Sequence, residues 1–109
     1  MLIFPLKKEW YEKIKSGEKT IEYREVKPYW ETRLWHTNCL PFKKIPYEYE
    51  KVKEFAWPIE CFFQCGYNPK KRLSAFITKI EIVDGKDTDL HIDKLVYAIH
   101  LVNVKEVEE

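Results

Sequence analysis

Glycine is scarce in this chain, with three residues among 109, and Gly17, Gly66 and Gly85 lie too far apart to form a glycine-rich phosphate loop. Cysteine is scarce and odd in number. Cys39, Cys61 and Cys65 lack the spacing of a disulfide framework, which points to a reducing, intracellular and hence cytoplasmic setting. No apolar run approaches the ~20 residues of a membrane helix, and the opening Met1-Leu2-Ile3-Phe4-Pro5 is too short for a signal-peptide core. No membrane partner is expected. Charge of one sign is also missing: 19 Lys and Arg face 18 Asp and Glu, a formal net charge of +1. That balance excludes a general coat for duplex DNA, whose non-specific affinity rests on surplus cations. Internal repeats, low-complexity segments and Ser-His-Asp or Cys-His nucleophile patterns are absent as well. His36, Cys39, Cys61 and Cys65 are spaced His-x2-Cys and Cys-x3-Cys, unlike the paired Cys-x2-Cys of structural zinc sites. Asp84, Asp87, Asp89 and Asp93 lack calcium-loop order and read as turn and cap residues. Neither a metal nor a cofactor is expected.

What is present is a globular balance. Hydrophobic residues make up 45%, charged residues 34% and aromatics 16% of the chain, enough for one domain with a ring-rich core. So many rings can also serve a ligand, since they stack on bases as readily as on each other.

The pattern along the chain predicts mixed α+β structure. Residues 2–5 read as a short edge strand ending at Pro5. Leu6, Trp10 and Ile14 recur every four residues, the stripe of a helix over about 7–16 that stops at Ser16-Gly17. Residues 20–24 alternate strictly, with Ile21 and Tyr23 on one strand face and Thr20, Glu22 and Arg24 on the other. Pro28 suits the first position of a second helix, with Trp30 and Leu34 four apart on its buried side. Residues 37–53 show no stable period and read as a long loop. Strands follow at 59–65, 73–83 and 95–104, with a turn at Gly66-Tyr67-Asn68-Pro69, another at Asp84-Gly85, and an irregular stretch over 87–93. The tail at 105–109 reads as frayed. Helices early and strands at both ends suggest a small barrel flanked by helices.

Residues 16–24, Ser-Gly-Glu-Lys-Thr-Ile-Glu-Tyr-Arg, carry the functional signal. A helix ends on Gly17, Lys19 occupies the turn, and a strand projects Glu22 and Arg24 from one face, roughly 6.6 Å apart. One acid and two cations converging beside a helix end suit a base edge and a phosphate. A carboxylate beside Lys19 makes the trio a binding clamp rather than an activated nucleophile. The bland alternative is an exposed strand face with a solvated turn lysine. Tyr29 and Trp35 are candidates for stacking on a ligand, whereas Trp30 pairs with Leu34 as core. Tyr67, followed by Lys70-Lys71-Arg72, forms the kind of basic, aromatic turn that tracks a nucleic-acid backbone.

The spacing Gly17-x-Lys19-x-x-Glu22-x-Arg24 after an amphipathic helix resembles the signature of the ASCH domain, of the PUA-like superfamily. Pro5-Leu6-Lys7-x-x-Trp10-Tyr11-x-x-Ile14, Glu25-x-Lys27-Pro28-Tyr29-Trp30, Gly66-Tyr67 and Ile77-Thr78-Lys79-Ile80 extend the likeness over most of the chain, loosely between 37 and 58. The resemblance implies a single PUA-like β-barrel domain with a cleft beside the first helix. It further implies binding of RNA, a nucleotide or a modified base through Lys19, Glu22 and Arg24, to which the aromatic and basic residues read above add Tyr29, Tyr67 and Arg72 as further contacts. The alternative is a small hydrolase, an amidohydrolase on an acylated cytidine or a ribonuclease, with Lys19 and Glu22 as its catalytic pair. The amidohydrolase branch uses a threonine three residues after the motif lysine. Glu22 stands there in this chain, and Thr20 occupies a different place in the motif.

Overall fold

The computed structural model describes residues 2–35 and 52–107. Strand β1 (Leu2–Leu6) leads into helix α1 (Lys8–Ser16). Gly17 ends that helix at φ 84, donating its N–H to the Ile14 carbonyl, a left-handed cap that costs glycine little. Strand β2 (Ile21–Glu25) follows. Helix α2 (Pro28–Trp30) starts on its proline and widens at once into a π-helical turn, Glu31–Trp35. Three long strands follow among the described residues: β3 (Val52–Cys65), β4 (Arg72–Asp84) and β5 (Leu95–Glu106).

The five strands form one sheet in the order β1-β3-β4-β5-β2. β1 runs parallel to β3, and the other neighbours are antiparallel. Register shifts interrupt β3–β4 between Glu54 and Ile59, and β4–β5 between Ser74 and Phe76 and between Ile77 and Lys79. Bulges of this kind bend a strand and increase its twist, and the sheet curls into a half-barrel. The curl brings the two edge strands within side-chain reach: Arg24 Nη2 on β2 donates to the Pro5 carbonyl on β1 at 2.9 Å. Inside lie Phe4, Tyr11, Ile14, Leu34, Phe63, Leu73, Ile77, Ile80 and Ile99, all at or near zero exposure. Phe4 stacks on Phe63 and on Trp30, with centroids 5.3 and 4.8 Å apart.

Among the described residues the sheet is a curled half-barrel, compatible with the small barrel expected. Other expectations from the sequence change here. Residues 37–51 of the expected loop lie outside the described residues, but Val52 and Lys53 belong to β3, which begins seven residues before the alternation at 59. The reason is Lys53. It faces inward with 3% exposure, its amine 4.4 Å from the Trp35 ring centroid, so a buried cation stands where the apolar pattern needs a hydrophobe. Burial pulls that amine down to about 8. Pro58, which argues against a central strand, falls in the unpaired stretch between Glu54 and Ile59, where no ladder N–H is required. The tail also differs. Lys105 and Glu106 pair with Ser74 and Leu73, and a Lys15–Glu106 ion pair at 2.6 Å ties them to α1.

Gly85 holds the connection that reaches the site. Its N–H donates to the Lys94 carbonyl, and its own carbonyl accepts from the Thr88 and Ile92 amides and from Thr88 Oγ1. A Cβ there would stand 2.7 Å from Ile92 Cγ1 and from the Lys94 carbonyl, backbone that cannot yield cheaply. Gly85→Ala is therefore expected to cost about 2 kcal/mol or more, as overpacking does, and to displace residues 88–92. Chemical denaturation of the variant measures it; unchanged stability would mean that the loop shifts freely.

Candidate functional site

Strand β2 carries its polar face toward the core side of the curl. Glu22 is 4% exposed, while its apolar neighbours Ile21 and Tyr23 are only half-buried. Two contacts place Lys19. Its amide donates to the Lys13 carbonyl at 3.0 Å, completing the helix exit, and the Thr20 carbonyl accepts from Leu101 at 3.0 Å, which starts the strand. A short turn thus delivers the ammonium to the mouth of the strand, beside Glu22.

The three motif side chains meet. Glu22 bridges both cations, with Oε1 3.2 Å from Lys19 Nζ and Oε2 2.9 Å from Arg24 Nη2. Its Oε1 also accepts the Tyr23 amide at 3.1 Å. Lys19 Nζ makes a second and shorter ion pair, 2.6 Å to Asp89 Oδ2. Rings enclose each cation. Lys19 Nζ lies 4.7 Å from the Trp10 ring centroid and 5.5 Å from that of Tyr23, and Arg24 Cζ lies 5.3 Å from both the Phe4 and the Trp30 centroids. Cation–π contacts of this kind strengthen when desolvated, and the Lys19 and Arg24 side chains are only 10% and 18% exposed.

These groups line a cleft of about 510 Å³, walled by Pro5, Leu6 and Lys7 at the end of β1, Trp10 on α1, Trp30 on α2, and Asp89, Leu90 and Ile92 on the loop before β5. Glu25 and Lys27 stand at its edge, paired at 2.8 Å. Four cationic and three anionic side chains share the lining, so the cleft is polar without being strongly basic. A second depression of about 610 Å³ adjoins it, sharing Trp10, Lys19, Tyr23 and Asp89 and adding Thr20 and His91. The Lys19–Asp89 pair faces both.

The remaining candidates lie elsewhere. Tyr29 is 54% exposed and packs edge-on against the Trp30 ring at 4.7 Å, with the Arg33 guanidinium 3.5 Å from its own centroid; it braces Trp30 and does not line the cleft. Tyr67 is 98% exposed in the turn after β3, and Arg72 Nε donates to Gln64 Oε1 across the β3–β4 ladder. Neither belongs to the cleft lining. Trp35 is buried and stacks on Tyr97 at 5.7 Å, a core position. Trp30 does both jobs, one surface on Phe4 and the rest toward the cleft.

The sequence did not single out Trp10, Tyr23 and Asp89 as site residues. Trp10 sits on the helix stripe and reads as core. Asp89 lies in an irregular stretch 70 residues from Lys19, and nothing local signals that pairing. Cys61 is fully buried on β3, paired with Leu2 of β1. Burial first, then the Glu60 and Glu22 carboxylates, pushes its thiol up to about 12, so it offers no nucleophile. Among the described residues no group of three or more His, Cys, Asp or Glu is arranged to hold a metal ion, and no helix is long and apolar enough to cross a membrane. Comparison with protein-family models, with characterised proteins and with solved structures returned no match for this chain.

Proposed function

We propose that the cleft binds a nucleobase, presented as a nucleoside, a nucleotide or an unpaired base of RNA. The carrying observation is the row Trp10, Lys19, Glu22, Arg24, Trp30 along one cleft, an indole beside each cation and a carboxylate between them. A base is a flat ring whose edge carries both acceptors and donors. Indoles offer it faces for stacking, Arg24 and Lys19 offer donors, and Glu22 offers an acceptor for an exocyclic amine. A volume of about 510 Å³ falls within the range of small-molecule sites. Lys7 is exposed at the rim, and the Lys27 side chain is 62% exposed, so both can meet a sugar-phosphate backbone outside the pocket. The resemblance of Gly17-x-Lys19-x-x-Glu22-x-Arg24 to the ASCH signature supports the same reading and motivates assigning the half-barrel to the PUA-like superfamily.

Titration of intrinsic tryptophan fluorescence with nucleosides and short single-stranded RNAs tests this. Quenching is expected, with Trp10→Ala weakening affinity about tenfold or more, the loss of one stacking face. The absence of any response to these ligands would remove the reading. Products resolved after incubation with N4-acetylcytidine or RNA would turn it into a hydrolase instead.

A further inference from the structure

We propose that Asp89 sets the specificity of this cleft by discriminating against phosphate. Its carboxylate holds the place beside Lys19 that a phosphate would take, so the site prefers an uncharged base or nucleoside to the corresponding nucleotide. The inference rests on the nucleobase reading and names which form of the ligand enters.

Lys19 already faces two anions. Two carboxylates and two rings surround its ammonium, and its side chain is 10% exposed. Of the two carboxylates, Asp89 is the closer, at 2.6 Å against 3.2 Å for Glu22. Asp89 is also well anchored for a loop residue. Thr88 on one side and Ile92 on the other are both tied to the Gly85 carbonyl, and Leu90 donates its amide to Thr88 Oγ1 at 3.2 Å. A phosphate approaching Lys19 must therefore lie against a fixed carboxylate, and like charges so placed repel strongly.

Two local costs accompany that placement. Asp89 Oδ1 is buried with no hydrogen-bond partner among the described residues, an unfavourable state for a carboxylate oxygen. Two residues on, His91 takes a left-handed φ of 48, uncommon for a residue with a Cβ. Strained and unsatisfied groups gather where a site demands a particular geometry. By contrast Lys7 and Lys27, which can meet backbone phosphates, are exposed lining residues.

The test compares adenosine and cytidine with their 5′-monophosphates on the wild type, Asp89→Asn and Asp89→Ser, by tryptophan fluorescence. Wild type is expected to bind each nucleoside at least as tightly as its monophosphate. Both variants are expected to tighten monophosphate binding about tenfold, the effect of removing a like charge from the contact, while nucleoside affinity moves far less. Wild type favouring the monophosphate tenfold would overturn the proposal. So would variants, checked for folding by thermal melts, that leave the ratio unchanged or weaken both ligands equally, since a merely structural Asp89 would act alike on both. Nucleoside binding with an unchanged ratio removes this inference alone, whereas no binding of either ligand by wild type removes the nucleobase reading with it.

Discussion

Replacing Glu22 with alanine is expected to lower the unfolding free energy by about 3 kcal/mol and the Tm by roughly 12 °C or more for a domain of this size. The side chain is nearly inaccessible and both its oxygens are engaged, with Lys19, with Arg24 and with the Tyr23 amide. Truncation leaves two cations facing each other in an enclosed, ring-lined space. Removing one member of a buried ionic cluster costs more than the cluster itself contributes, because the survivors stay desolvated without partners. Lys19 keeps Asp89, which holds the loss below that of a fully orphaned charge, while Arg24 keeps the Pro5 carbonyl and its contacts with the Phe4 and Trp30 rings but no carboxylate among the described residues. The same logic gives a second expectation. A triple variant, Lys19→Met, Glu22→Leu and Arg24→Met, should recover most of the stability lost in Glu22→Ala, since well-packed apolar replacements of buried ions are often neutral or better. It should bind no nucleobase at all. Thermal and urea unfolding of the two proteins decide the matter: a Glu22→Ala protein as stable as wild type would show that water already screens the cluster.

The local elements were legible because their signals are local. Helix α1 follows from the spacing of Trp10 and Ile14 and the Gly17 stop, although Leu6 of the expected stripe belongs to β1, and β2 follows from strict alternation. What the alternation cannot tell is which face turns inward. A strand with Ile and Tyr on one side and Thr, Glu and Arg on the other is normally buried on its apolar side, yet Glu22 is the most buried residue of β2. Tertiary surroundings reverse the expectation, because Arg24 is flanked by the Phe4 and Trp30 rings and Glu22 joins it to Lys19. Similarly, Lys53 hid the first half of β3 by putting an amine at an inward position. The lysine, acid and arginine of the motif were readable as a group because they fall within six consecutive residues. Asp89 was not, since its pairing with Lys19 exists only once β5 lies beside β2 and Gly85 has folded the loop back. Tyr67 and Arg72 failed to join the cleft for a related reason. Their turn sits at the end of β3 next to Leu6, whose carbonyl accepts the Gly66 amide, and from there Tyr67 points to solvent while Arg72 is held by Gln64.

Arg24→Lys is expected to separate charge from shape. Lysine retains the positive charge and can still meet Glu22, so the stability loss should stay near 1–2 kcal/mol. Ligand affinity, however, should fall about tenfold to a hundredfold, nearly as far as in Arg24→Ala. The guanidinium is a flat group at 5.3 Å from two ring centroids, and one of its nitrogens serves both the Glu22 carboxylate and the Pro5 carbonyl. That single nitrogen fastens β2 to β1 across the open side of the half-barrel, and the plate behind it supports the Trp30 indole on the cleft wall. An ammonium is compact and strongly hydrated, cannot stack, and does not span both acceptors from one position. Trp30 then loses its backing, and a base stacked on it loses a fixed wall. The paired measurement is urea unfolding with fluorescence titration of the same three proteins. A lysine variant that binds like wild type would show that charge alone is used at this position, and that the planar contact with Phe4 and Trp30 serves only the fold.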